Sequence, residues 1–328
     1  MNFRKKIAKL FSVKEKKSVI LLYHHIGSPD FDPWEMFVSL KNFKTHLQVL
    51  QEKYSVQPLS GFKKNNISGK TAYISFDDGY LNNFISAYSL LKASNTPATF
   101  FIPTKNFSFN QYYWWEIVEE IFLGDAETPS VLEFECSDIK YKWHFDEIKD
   151  ANANKNFSAW TDKPSNCYQQ AYMEISTILK HLHPLEQQRI TDVLINWFGK
   201  KPTFFGMEKI SSEQLRQIAS ENIVEIGSHS VNHPALSALN KTERMNELTE
   251  SKTVLESIIG KEILSFAYPH GDYDLETKMA VKQAGYAFAC TADENNFSAL
   301  HDNFALPRVW IKNWDKQKFE EELAKFFV

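Results

Sequence analysis

The sequence predicts an α/β fold, a parallel, barrel-like sheet with helices on its outside and a largely helical insertion. Three observations predict it. Short apolar runs of strand length alternate with segments of helical spacing. Reactive side chains fall at the ends of four of those runs, where α/β folds gather their chemistry. The alternation breaks once, over roughly residues 107–205.

The elements follow in order. Residues 18–23 are a continuous apolar run ending at His24-His25-Ile26-Gly27, read as a strand by its length. Phe43, Leu47 and Leu50 predict a helix over 43–54, and the short Val56-Gln57-Pro58-Leu59 follows it. A strand at 72–76 ends at Asp77-Asp78-Gly79, a helix covers 84–93, and a second strand covers 98–102. Beyond the break, a helix at 212–219 leads to a strand at 223–226, which delivers His229-Ser230-Val231-Asn232-His233-Pro234. A helix at 242–259 precedes a strand at 263–268 that ends at Pro269-His270. A helix at 275–284 and strands at 287–291 and 306–311 complete the pattern. The break holds Tyr112-Tyr113-Trp114-Trp115, a polar stretch at 152–156 and helical segments at 168–182 and 187–198. It is read as an insertion between two barrel units, not an independently folding domain. The organisation is therefore a basic segment at 1–17, a barrel from 18–106 and 206–328, and an insertion at 107–205.

At 328 residues, with 43% apolar and 24% charged, the chain has the composition of a globular protein. A net charge of -4 gives nucleic acid no reason to be the partner. Eight tryptophans and thirteen tyrosines exceed what a core needs, and flat faces of that kind suit sugar rings, although core packing accounts for most of them. Cys136, Cys167 and Cys290 are scattered, odd in number and without metal spacing, which favours reduced thiols and a cytoplasmic location. The start has no long apolar region or cleavage site of a secretory signal. Phe3, Ile7, Leu10 and Phe11 share a helical face flanked by Arg4, Lys5, Lys6 and Lys9, which suits either a weak peripheral contact with the inner face of a membrane or a solvated terminus.

The residues that carry chemistry are two imidazoles and two carboxylates. His229 and His233 are four apart, so both rings can converge on one divalent ion from a turn or tight loop, and Pro234 discourages a longer helix. One carboxylate of the Asp77/Asp78 pair would complete the ligand set. The other stays free to take a proton from water. Alone, Asp-Asp-Gly reads as a turn and His-x-x-x-His as surface histidines; together they read as a hydrolase site.

Ser75-Phe76-Asp77-Asp78-Gly79 and His229 to Pro234 resemble the first and second motifs of the polysaccharide deacetylases, the NodB-homology group of carbohydrate esterases (family four). The resemblance covers about residues 18–312 apart from the insertion. It implies a distorted, TIM-like (β/α) barrel of NodB type that removes N-acetyl, less often O-acetyl, groups from sugars. It implies Asp77 as general base, and Asp78, His229 and His233 as ligands of one divalent ion, zinc first, with cobalt or nickel also permitted. The family's Arg-x-Pro-Tyr is here Ala267-Tyr268-Pro269-His270, so the arginine that pairs with the base is missing, and Arg308 on the last strand is the candidate replacement. Pro269, His270 and Arg308 are grouped as substrate-facing, with the His270 backbone N–H helping to hold an oxyanion. No Leu-x-His lies near the C-terminal end, but Leu22-Tyr23-His24 fits that motif. This is similar to the circularly permuted members with the acid histidine near the start, and it makes His24 the general acid. His25, on the alternate side of an extended segment, is read as structural.

The expected substrate is an N-acetylated amino sugar in a polysaccharide, an oligosaccharide or an activated or lipid-linked precursor. Tyr112–Trp115 is read either as a platform for a sugar ring or as core packing. Rival readings are an amidohydrolase acting on a small non-sugar amide, a non-catalytic carbohydrate-binding relative, and an iron(II) oxygenase. The last leaves the second aspartate without a task, and the intact four positions argue against a non-catalytic relative.

Overall fold

The computed structural model describes residues 17–62, 70–107, 112–200, 207–298 and 300–327. The amphipathic face from Phe3 to Phe11 lies outside the described residues. No described helix is long and apolar enough to cross a membrane.

Seven strands make one parallel sheet: β1 (Ser18–Tyr23), β2 (Thr71–Phe76), β3 (Ala98–Ile102), β4 (Val224–Ser228), β5 (Ser265–Ala267), β6 (Phe288–Cys290) and β7 (Val309–Trp310). Their order is β6-β5-β4-β3-β2-β1-β7, and Ser55–Val56 adds an eighth strand beside β2. All six residues of β2 and the last five of β1 are buried. That explains their unbroken apolar runs, since parallel strands are covered on both faces. Helices α1 (Leu40–Lys53), α2 (Tyr88–Ala93), α3 (Ser212–Ile218), α4 (Lys241–Ile259), α5 (Leu275–Gln283) and α6 (Lys316–Ala324) alternate with the strands. Ser39 caps α1 by accepting from Asn42 N–H, and its inward row includes Phe43, Leu47 and Leu50, as the spacing predicts.

One segment touches both sheet edges. Leu306 N–H donates to Ala289 O (2.9 Å) and Leu306 O accepts from Thr291 N–H (2.8 Å), while Val309 pairs with Leu21 of β1. This curls the sheet into a distorted barrel. Gly227 shows how tightly strands pack there: a Cβ would lie 2.4 Å from the Phe101 ring and 2.7 Å from Ser265 Oγ.

The insertion differs from its expected helical character. Helices Trp114–Leu123, Cys167–Lys180 and Pro184–Phe198 are present, but so is an antiparallel hairpin, Val131–Cys136 with Ile139–His144. Leu132, Phe134 and Cys136 alternate inward, and Ser137 and Asp138 turn the chain with φ of 50° and 62°. The segment has its own apolar cluster, including Ile121, Phe122, Tyr172 and Leu194. A buried ion pair, Lys209 Nζ to Glu116 Oε1 at 2.5 Å, ties it to the strand side of the barrel.

Candidate functional site

The sheet delivers its reactive residues at one end. Asp77 N–H continues the β1–β2 ladder by donating to Tyr23 O (3.0 Å). Asp78 and Gly79 then both adopt left-handed backbone, φ 68° and 67°. Aspartate tolerates this region and glycine pays no steric penalty in it, so the adjacent carboxylates leave the strand in different directions. A π-helical turn at Asn83–Ala87 follows, and Asn83 Nδ2 donates to His24 O (2.6 Å), tying the end of β1 to that of β2.

Beyond β4 the loop is held in two left-handed steps, Ser230 at φ 68° and His233 at φ 58°. Glu247 of α4 fixes it by accepting from Val231 N–H and Asn232 N–H (both 2.8 Å) and from Asn232 Nδ2 (2.6 Å). We expect Glu247→Ala to weaken binding of a divalent ion about tenfold through misplacement of His233. Competition against a chromophoric chelator reads this directly, and unchanged affinity would show that the loop holds itself.

Three donor atoms converge. His233 Nε2 lies 3.2 Å and His229 Nε2 3.5 Å from Asp78 Oδ1, and the two Nε2 atoms are 3.1 Å apart. His229 Nδ1 is 2.8 Å from Ala267 O, which assigns its proton to Nδ1 and turns the Nε2 lone pair inward. Asp78 Oδ1 is buried without a hydrogen-bond donor. Two inward lone pairs and an orphaned carboxylate oxygen fit a divalent cation, and a two-histidine, one-carboxylate set suits zinc. Burial alone would raise the Asp78 pKa, yet the adjoining His229 and His233 imidazoles hold it well below the ordinary range.

Asp77 stands beside this cluster, its Oδ2 3.7 Å from His229 Nε2. Arg308 grips it at both oxygens, Nη1 to Oδ1 and Nη2 to Oδ2 at 2.7 Å each, while Arg308 Nε donates to Thr291 O (2.8 Å). Burial would raise the Asp77 pKa; the guanidinium outweighs it and leaves the value lowered. Arg308 lines the cavity and also stands beside the Asp77 carboxylate, where the missing family arginine was looked for. The Arg and the ligand-bearing Ala267 carbonyl thus come from different strands.

His24 faces the same cavity, its ring tilted 34° to the Trp310 ring at 4.5 Å, with Nδ1 buried and unpartnered. Burial lowers its pKa, while Asp78 and Asp77 push it up. His25 points elsewhere, between Phe37 (4.1 Å) and Tyr80 (3.5 Å). His270 sits at φ 57° in the turn after β5, its ring 4.5 Å from His233, and burial holds its pKa well below the usual value. Pro269 is buried at the start of that turn, between the cavity-lining Tyr268 and His270.

The cavity has a volume of about 390 Å³. Five of the eight tryptophans line it: Trp34, Trp114, Trp115, Trp160 and Trp310. Within the run 112–115, the two tryptophans reach the cavity and the tyrosines do not; Tyr113 instead donates to Asp78 O (2.8 Å), bracing that turn. Trp34, Trp160, Trp310 and Lys180 were not singled out from sequence. The only signal for them was the surplus of aromatics.

The polysaccharide deacetylase family profile matches residues 64–127 and 186–289. Residues 128–185 lie outside both stretches. The chain is 28% identical over 121 residues to YxkH of Bacillus subtilis, covering 35% of this chain and 43% of that protein, so it spans less than half of that relative. It is 23% identical over 256 residues to the poly-β-1,6-N-acetyl-D-glucosamine N-deacetylase of Staphylococcus aureus, covering 72% of this chain and 78% of the relative. The Streptococcus pyogenes deacetylase PplD, solved in complex with acetate, shares the fold with a TM-score of 0.59 at 16% identity, covering 96% of this chain and all of that one. IcaB from Ammonifex degensii does so at 0.55 and 14% identity, over 94% and 96% of the two chains. The curled parallel sheet is therefore the NodB-type deacetylase fold.

Proposed function

This chain belongs to the polysaccharide deacetylase family, and from that premise we propose that it hydrolyses the N-acetyl group of an amino sugar in a polysaccharide, an oligosaccharide or an activated or lipid-linked precursor. The observation that carries this reading is the convergence of Asp78, His229 and His233 beside a separate, arginine-held carboxylate. Asp78, His229 and His233 would hold one divalent ion, with zinc preferred over cobalt or nickel. Such an ion, when bound, supplies Lewis-acid polarisation of a carbonyl and eases ionisation of water.

The chain's own residues supply the rest. Asp77, kept ionised by Arg308, takes a proton from the attacking water. The His270 backbone N–H faces the developing oxyanion. His24, whose Nδ1 has no protein partner, protonates the departing amine nitrogen as the C–N bond breaks, so acetate and a free amino sugar leave. The tryptophan walls offer flat faces for the sugar. Free Cys136, Cys167 and Cys290 support the accompanying proposal of a cytoplasmic setting.

The test is acetate release from N-acetylated nucleotide sugars, lipid-linked sugars and oligosaccharides, with metal content measured alongside. Exhaustive chelation is expected to remove about one ion per chain and abolish acetate release, and added zinc to restore it. Full turnover by metal-free protein would end the reading.

A further inference from the structure

The candidate metal ligands arrive from different strands, Asp78 after β2 and His233 after β4. One stacked pair of rings from the insertion meets both. Tyr113 donates its hydroxyl to Asp78 O (2.8 Å). Trp115 lies on Tyr113, ring centroids 4.2 Å apart and planes within 16° of parallel, and it also meets the His233 ring at 4.8 Å.

Asp78 Oδ1 is buried with no donor to aim it, so its direction follows from the backbone beneath. That backbone is left-handed, a conformation a non-glycine residue keeps only where its surroundings over-determine it. Asp77 N–H is held by Tyr23 O, and Gly79 O accepts from Ile210 N–H (2.9 Å). Tyr113 holds the carbonyl between them. The ring that delivers the hydroxyl is itself fixed. Tyr113 N–H donates to Glu116 Oε2 (2.8 Å), and the Lys209 ammonium, buried and paired with Glu116, lies 4.5 Å over the Tyr113 ring. A cation over a phenol ring draws electron density from it and sharpens its O–H as a donor, and exclusion of water strengthens each link of such a chain.

A buried tyrosine needs a partner for its hydroxyl in any core, and any nearby carbonyl would meet that need. Here the partner is the residue whose side chain supplies a ligand, and the stacked neighbour packs on a second ligand. We propose that Tyr113, with Trp115 stacked on it, is a positioning residue of the ion site. Its hydroxyl holds the Asp78 turn in register with His233, so the insertion completes a site whose three ligands all come from the barrel. The inference rests on the reading of Asp78, His229 and His233 as holders of the ion, and it adds the group that sets their spacing.

Ion affinity tests it without requiring turnover. Zinc affinity of the full chain is measured against a chromophoric chelator, and the visible absorption of the cobalt-loaded chain reports ligand geometry. Tyr113→Phe keeps the stacked ring and removes the hydroxyl. It is expected to bind zinc about tenfold more weakly and to shift the cobalt absorption. Tyr168→Phe is the matched variant: Tyr168 of the same insertion donates to Glu147 O (3.2 Å) and does not line the cavity, and its loss is expected to change neither readout. Unfolding in chelator shows whether each variant folds. Should Tyr113→Phe not fold, Trp115→Phe carries the test, with weaker zinc binding expected through His233 and wild-type affinity overturning the proposal. Wild-type affinity and absorption in Tyr113→Phe overturn it too, as does an equal loss in Tyr168→Phe, which would mark a general loosening of the insertion. Acetate release by the wild-type chain, with zinc affinity indifferent to Tyr113→Phe, would overturn the positioning role alone. A Tyr113-dependent affinity without acetate release from any sugar would overturn the proposed activity alone.

Discussion

Asp77→Asn is expected to lower acetate release by about 10³-fold while the chain still binds its metal. The substitution keeps the size of the side chain and removes its capacity to accept a proton, together with the charge that pairs Arg308. Asp77 is not among the three converging donors, and its nearest approach to them is 3.7 Å. The role proposed for it is that of a base beside an ion, not of a ligand. If Asp77 instead held the metal, the variant would lose ion and activity together. Metal content and turnover measured on one preparation separate these outcomes, and an active variant would remove Asp77 from the chemistry altogether.

The second large effect concerns stability. Arg308 and Asp77 are both almost wholly buried, 1% and 4% exposed at the side chain. Removing one member of such a pair leaves an uncompensated charge, which costs about 3–5 kcal/mol. Arg308→Met should therefore be destabilised by roughly that amount in denaturant unfolding, measured with chelator present to exclude metal linkage. The double variant Asp77→Asn/Arg308→Met should recover much of the loss, because no unpaired charge remains. Equal stability of wild type and Arg308→Met would show that water reaches the carboxylate. The pH dependence has a definite sign. Asp77 has a lowered folded-state pKa, so its contribution is present in full above the ordinary carboxylate range and is lost as pH falls through the folded value. In Arg308→Met the burial effect is unopposed by the guanidinium, and this acid-side loss of stability should disappear.

The barrel strands and the reactive positions were legible because both signals are local. Apolar runs announce β1 and β2, and the residues that end them carry the chemistry. Strand ends were overextended: regular strand covers only Ser265–Ala267 of 263–268 and Val309–Trp310 of 306–311, with Leu306 joined to the sheet through an isolated bridge to Cys290. The hairpin at 131–144 was missed although Leu132, Phe134 and Cys136 alternate with exposed neighbours, since its turn, Ser137-Asp138, lacks the usual Asn-Gly signature. Arg308 was named from a missing family arginine, but its bidentate grip crosses 231 positions and no local pattern reports it. Lys180 and Trp160 were invisible for the same reason: a residue's aim into a cavity depends on where its helix or loop docks.

The closure of the sheet by the segment around Leu306–Trp310 has a consequence for biosynthesis. His24 directly follows the first strand, while Arg308 directly precedes the last, which holds Trp310. During translation, a nascent chain that has reached residue 290 already contains Asp78, His229 and His233, yet its Asp77 lacks the Arg308 guanidinium. Asp77 therefore gains its Arg308 partner only once the stretch through residue 310 has joined the sheet.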